Sequence, residues 1–188
     1  MGDRLGINLK NTTTTTEATT TEAATTPAGN VWVQVSTSKV CFGTKDDTFG
    51  TFTITKDGKI KKFKLYYAGG FGLVTELFGA AGRWGAPSVN ALLINTKIET
   101  HITDAGNNRI TPPVGYKIYN GWGQMSYDIP GYGYMSDYII LPEISPAISV
   151  KIGDQFRIWF GQDWQNINEN NNKGQSCADV SAFYSEIA

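Results

Sequence analysis

Beyond residue 30 the chain alternates apolar and polar side chains with a period of two, the signature of strands that bury one face. Val31, Val33 and Val35 alternate with Trp32 and Gln34, and Phe52 and Ile54 alternate with Thr51, Thr53 and Thr55. Lys56-Asp57-Gly58-Lys59 then reads as a hairpin turn. Its return strand points Phe63, Leu65 and Tyr67 inward and Lys62, Lys64 and Tyr66 outward. The lysines at 56, 59, 61, 62 and 64 read as the solvated side of an edge strand. A long strand is expected over residues 91–103, with Ile94, Ile98 and Ile102 inward and Asn95, Lys97, Glu99 and His101 outward.

The pattern is clearest near the C-terminus. Phe156, Ile158 and Phe160 alternate with Gln155, Arg157 and Trp159, and Ala178, Val180, Ala182 and Tyr184 form a second such set. Between them, residues 165–175 carry almost nothing but side-chain oxygen and nitrogen, so they belong in a surface loop. Elsewhere the glycines of 69–88 imply irregular backbone and Asp104 to Asn108 a turn. Pro112-Pro113 breaks the chain before a Tyr/Gly-rich run from 115 to 138, and Pro142 and Pro146 keep the short strand at 138–141 out of a sheet centre. No amphipathic helix exceeds two turns. Short strands punctuated by turns predict an all-β fold, an antiparallel, jelly-roll-like β-sandwich over 30–188.

Residues 1–29 differ in kind. Thr12 to Thr16, Thr19 to Thr21, Thr25 and Thr26 are interspersed with Glu and Ala and close on Pro27-Ala28-Gly29. This Thr-rich extension reads as an O-glycosylated stalk, a linker, or an arm that adds a strand to a neighbouring copy. Asn11-Thr12-Thr13 is an N-glycosylation sequon, which makes Asn11 the glycosylation candidate.

Composition narrows the functional classes. A net charge of −1 gives no basic face for nucleic acid. No apolar run reaches the roughly 18 residues of a membrane span. Two cysteines are too few for a disulfide scaffold, but Cys41 follows the first strand and Cys177 opens the last. If those strands are neighbours, a bridge closes nearly the whole domain; the alternative is two buried free thiols in a cytosolic protein.

Catalytic constellations are sparse. His101 is the one histidine, no Gly-x-Ser-x-Gly elbow occurs, and zinc lacks a ligand set. Among Asp128, Asp137, Glu143, Asp163, Glu169 and Asp179 no spacing singles out a carboxylate pair, so no enzyme is expected. Calcium fits better. Asp163, Glu169, Asn170, Asn172 and Asp179 place hard oxygens in one strand-loop-strand unit, and Asp46 and Asp47 can join from a loop on the same rim. Tyr116, Tyr119, Trp122, Tyr132, Tyr134 and Trp164 supply aromatic faces for a sugar ring or a protein partner, or else pack the long loop down.

Several motifs together carry a resemblance. Arg157-Ile158-Trp159-Phe160-Gly161 before an acid, the Asn-rich loop, and Cys177-Ala178-Asp179-Val180-Ser181-Ala182 resemble secreted, cnidarian-type extracellular β-domains. So do Cys41-Phe42-Gly43, Phe49 to Thr53 and Ile129-Pro130-Gly131-Tyr132; the likeness spans roughly 31–185 and implies an extracellular location. Two functions follow. One is an extracellular structural protein, a homo-oligomer or filament joined through the tail and the Tyr/Gly surface. The alternative is a lectin-like module that binds carbohydrate with the help of calcium.

Overall fold

The computed structural model describes residues 2, 29–75, 79–87, 97–121 and 123–188. Asn11, most of the Thr-rich arm, Ile94 and Trp122 therefore lie outside the described residues.

Two antiparallel sheets pack face to face. The larger contains β1 (Val31–Gln34), β2 (Val40–Gly43), β4 (Gly58–Tyr67), β5 (Gly72–Val74), β8 (Tyr138–Ile140), β9 (Ile148–Val150) and β11 (Lys173–Ile187). The smaller runs β3 (Gly50–Thr53), β10 (Gln155–Phe160), β6 (Thr100–Asp104), β7 (Arg109–Thr111). A short helix, α1 (Gly161–Gln165), follows β10 directly. The all-β sandwich expected from the alternation is the fold.

β11 is the axis of the larger sheet. It pairs with β4 along one side and with β1, β2 and β5 in succession along the other. Ala178, Val180, Ala182 and Tyr184 face inward and are wholly buried. They meet Ile60, Phe63 and Leu65 of β4 and, from the smaller sheet, Phe52, Phe156, Ile158 and Ile102. Phe52, Phe63 and Phe156 contact one another at ring separations of 5.6 to 5.8 Å. Each such side chain contributes about 1.5–3 kcal/mol by leaving water. Cys41 and Cys177 stand directly opposite each other in the β2–β11 register and form the disulfide, which excludes the free-thiol alternative.

Several expectations are corrected by topology. Asp57-Gly58 does not close a hairpin, because β3 pairs with β10 and β4 with β11. It is a corner between the sheets. The Asp57 carboxylate accepts the Ile152 amide at 2.7 Å and so ties the corner to the turn before β10. Gly58 sits at φ +150°, where a Cβ would come within 2.1 Å of the Glu186 carbonyl. β4 is no edge strand either: β8 and β9 flank its other side. Its lysines stay solvated through surface ion pairs, Lys59 to Glu186 at 2.7 Å and Lys62 to Glu143 at 3.0 Å. The polar loop is also shorter than expected, since α1 takes its first residue, Gln165, and β11 begins at Lys173.

The largest correction concerns the smaller sheet's outer face. Glu99, His101, Thr103 and Trp159, outward by alternation, are all buried. A second layer covers them. Tyr119 and Ser126 exchange backbone hydrogen bonds of 2.7 and 3.0 Å, closing a loop that lies over β6 and against α1. Tyr127, from the end of that loop, is wholly buried and donates its hydroxyl to the Thr100 carbonyl.

Candidate functional site

The site grows from the place where β10 stops. At Gly161 the chain turns into α1, and a Cβ there would sit 2.0 Å from the Gln124 carbonyl, so only glycine lets the 119–126 loop press on the helix start. The helix carries Gln162, Asp163 and Trp164 and ends at Asn166 in the left-handed conformation, a residue type that tolerates it. The loop that follows leads through Glu169 and Asn170 to Asn172. The turn between β2 and β3, Thr44 to Thr48, reaches the same place; Asp46 and Asp47 both adopt positive φ there.

Asp163 is fully buried. One carboxylate oxygen accepts the Asp47 amide at 2.8 Å; no donor reaches the other, and the Glu169 carboxyl stands within hydrogen-bonding reach of Asp163. Burial pushes its pKa up to about 7; the Glu169 carboxyl beside it and the Asp47 charge add to the rise, while the Asp47 amide opposes it. Asn172, also buried, donates its amide to the Thr44 backbone carbonyl at 3.0 Å and to Oε1 of the Gln162 side chain at 2.8 Å. That fixes the amide's orientation and leaves Asn172 Oδ1 unpartnered, together with Thr44 Oγ1, Asp163 Oδ2 and Glu169 Oε2. Buried oxygens normally find a partner, at about 1–3 kcal/mol each when they do not. Four such atoms on adjoining segments, two of them carboxylate, form a cradle of the donors a hard cation takes. Among the described residues no three of His, Cys, Asp and Glu gather to hold a metal. The cradle depends equally on an amide and a hydroxyl.

Of the sequence candidates, Asp163, Glu169 and Asn172 thus come together, with Asp47 reaching Asp163 through its amide. Asn170 is exposed on the turn beside them. Asp179 does not join. It lies on β11 opposite Tyr66, on the outer face of the larger sheet, because Ala178 and Val180 on either side point into the core. Thr44 and Gln162 were not anticipated; a threonine in a polar turn carries no signal until the turn is placed against Asn172.

The aromatic candidates divide. Trp164, half-buried on α1, packs on His101 at 5.4 Å. Tyr119 is exposed and carries Lys97 3.5 Å from its ring centre. Trp164 borders the carboxylate end of the molecule through α1, and the loop that begins at Tyr119 approaches it at Gly123, where a Cβ would lie 2.6 Å from Ile167. Tyr116 is spent on packing, its ring edge-on to Tyr127 and its hydroxyl on the Asp128 carbonyl. Tyr134 offers its carbonyl to the Arg83 and Trp84 amides. Tyr132 belongs to a separate tyrosine group with Tyr138. The run is therefore not one platform.

His101 is buried and held neutral. Burial holds its pKa down to about 3, its Nε2 lies 2.9 Å from the Met125 carbonyl and Tyr127 and Trp164 flank the ring. Glu99, raised by burial to about 8, accepts the Ala86 amide.

No protein-family model matches this chain, and no curated protein matches it. A solved structure does. The chain is similar to AJLec from the sea anemone Anthopleura japonica, with 28% identity and a TM-score of 0.73. The alignment takes in 83% of this chain and 98% of the other. AJLec is a lectin. The likeness agrees with a cnidarian-type domain and favours the carbohydrate-binding alternative over the structural one.

Proposed function

We propose that this chain is a secreted, non-catalytic carbohydrate-binding module whose sugar site is the rim around Asp163, Glu169 and Asn172 and is completed by calcium. The observation that carries the reading is the likeness to a sea anemone lectin over most of both chains. The cradle of unpartnered oxygens supplies the calcium part. When bound, the ion would neutralise the two carboxylates and take sugar hydroxyls as further ligands, since calcium accepts about six to eight oxygens. Thr44, Asp163, Glu169 and Asn172 would hold it; Tyr119 and Trp164 offer the ring faces on which a pyranose stacks. The disulfide agrees with an oxidising, extracellular location. Nothing among the described residues favours self-assembly over this reading.

The test is binding to a broad glycan panel, read by calorimetry on each hit. Affinity is expected with calcium present, and its loss is expected with chelator and with Asp163→Ala. Absence of any hit in calcium would sink the reading.

A further inference from the structure

A second surface lies on the outer face of the larger sheet, away from the rim. The β11–β4–β8 register sets Asp179, Tyr66 and Tyr138 in one row. The next row is Gln34, Ser181, Lys64 and Ile140, and beyond it stand Trp32 and Phe183. Tyr66 and Tyr138 are among the exposed large side chains, with rings 5.1 Å apart. Tyr132 adds a third ring 5.6 Å from Tyr138. On the other flank Trp32 packs against Phe183 at 5.3 Å. Lys64 stands between the two groups, its ammonium 4.7 Å from the Trp32 ring and 5.0 Å from the Tyr66 ring.

Lys64 is unlike its neighbours on β4. Lys59, Lys61 and Lys62 each have a carboxylate within ion-pair distance, whereas Lys64 rests on rings and among the described residues has none. Ring faces hold an ammonium in place without neutralising it. An acidic group is therefore the complement of this position. Rings on both sides, spaced across successive strands, ask for further flat apolar faces. Asp179 and Ser181 offer partners for hydroxyls in between.

We propose that this face binds an extended acidic glycan, pyranose rings stacking on Tyr66, Tyr138 and Trp32 and a sulfate or carboxylate on the chain meeting Lys64. The surface does not use the calcium rim, so it neither rests on that site nor fails with it.

The experiment is affinity electrophoresis of the intact chain in chelator, through gels cast with a sulfated galactan, a polyuronate or a neutral galactan. Retardation is expected in one or both acidic gels and to be weaker in the neutral one; the acidic gel that retards more identifies the group at Lys64. Lys64→Gln and the double variant Tyr66→Ala, Tyr138→Ala are each expected to weaken it roughly fivefold or more. Lys59→Gln, at an ion-paired lysine, is expected to change it less than twofold, roughly. All variants are first checked for unchanged thermal unfolding; should the double variant unfold, Tyr66→Leu, which keeps bulk without the stacking face, replaces it. No retardation in either acidic gel overturns the proposal. So does retardation that the tyrosine variants leave intact, which would mark simple charge attraction. Chelator-sensitive sugar binding that survives these substitutions belongs to the rim.

Discussion

The outer faces of the two sheets start from the same sequence rule and end differently. On β4 the positions between the core residues hold Lys62, Lys64 and Tyr66, and they meet water. On β6 and β10 the equivalent positions hold His101, Thr103 and Trp159, and they are buried beneath the 119–126 loop, α1 and the ring of Phe49. Alternation reports which side chains share a face. It does not report what lies on top. The difference is visible in the chemistry: the open face sets Lys62 against the solvent-exposed Glu143 and rests Lys64 on rings, whereas the covered face hides a neutral histidine and a threonine hydroxyl that accepts the Trp159 indole N–H at 3.2 Å.

Three perturbations sharpen this contrast. The largest acts on the open sheet's covalent tie. Replacing Cys41 and Cys177 by alanine removes a link between residues 136 apart in sequence. Denaturant unfolding should then show a loss of about 4–5 kcal/mol. A loss below about 1 kcal/mol would mean that the paired strands need no cross-link.

Next, the two faces can be compared directly. Trp159→Ala empties a buried site between Phe49 and Thr103 and should cost about 3–5 kcal/mol in the same assay. Tyr66→Ala, on the open face, should cost less than about 1 kcal/mol. Equal costs would contradict the distinction.

The third perturbation lies at the rim, where burial acts on a carboxylate. The pKa of Asp163 is raised from 3.8 to about 7, so the folded chain holds an extra proton across that window and loses stability as pH rises through it. Glu99 acts in the same direction up to about 8. His101 acts oppositely, its lowered pKa removing stability as pH falls from 6.5 to about 3. Asp163→Asn isolates the first contribution. Without calcium the variant should melt above the native chain at pH 8, with the gap closing toward pH 4. Calcium should raise the native melting temperature more at pH 8 than at pH 5, and leave the variant unmoved. Melting curves with a pH-independent gap would refute this account.

Much of the fold was legible because buried alternation is hard to mistake: Ala178, Val180, Ala182 and Tyr184 are the core face of β11, and Phe156, Ile158 and Phe160 that of β10. What sequence could not supply was pairing. Lys56 to Lys59 looks the same whether the next strand returns beside the last or crosses to the other sheet. The pairings of β3 with β10 and of β4 with β11, remote in sequence, decide it. For the site, the acid-and-amide loop drew notice to Asp163, Glu169 and Asn172, whereas Asp179 is near them in sequence but turned to another face by the strand's pleat.

The position of β11 also sets a timetable. The described strand made last is the one on which β1, β2 and β5 all depend for their sheet partner. Until it leaves the ribosome, those earlier strands have no sheet edge to join. The polypeptide must wait, apolar strands unpaired, and then close most of the larger sheet and its cysteine link in a single late event. A message truncated before Lys173 would yield a chain whose larger sheet is reduced to β4, β8 and β9, with β1, β2 and β5 left unpaired.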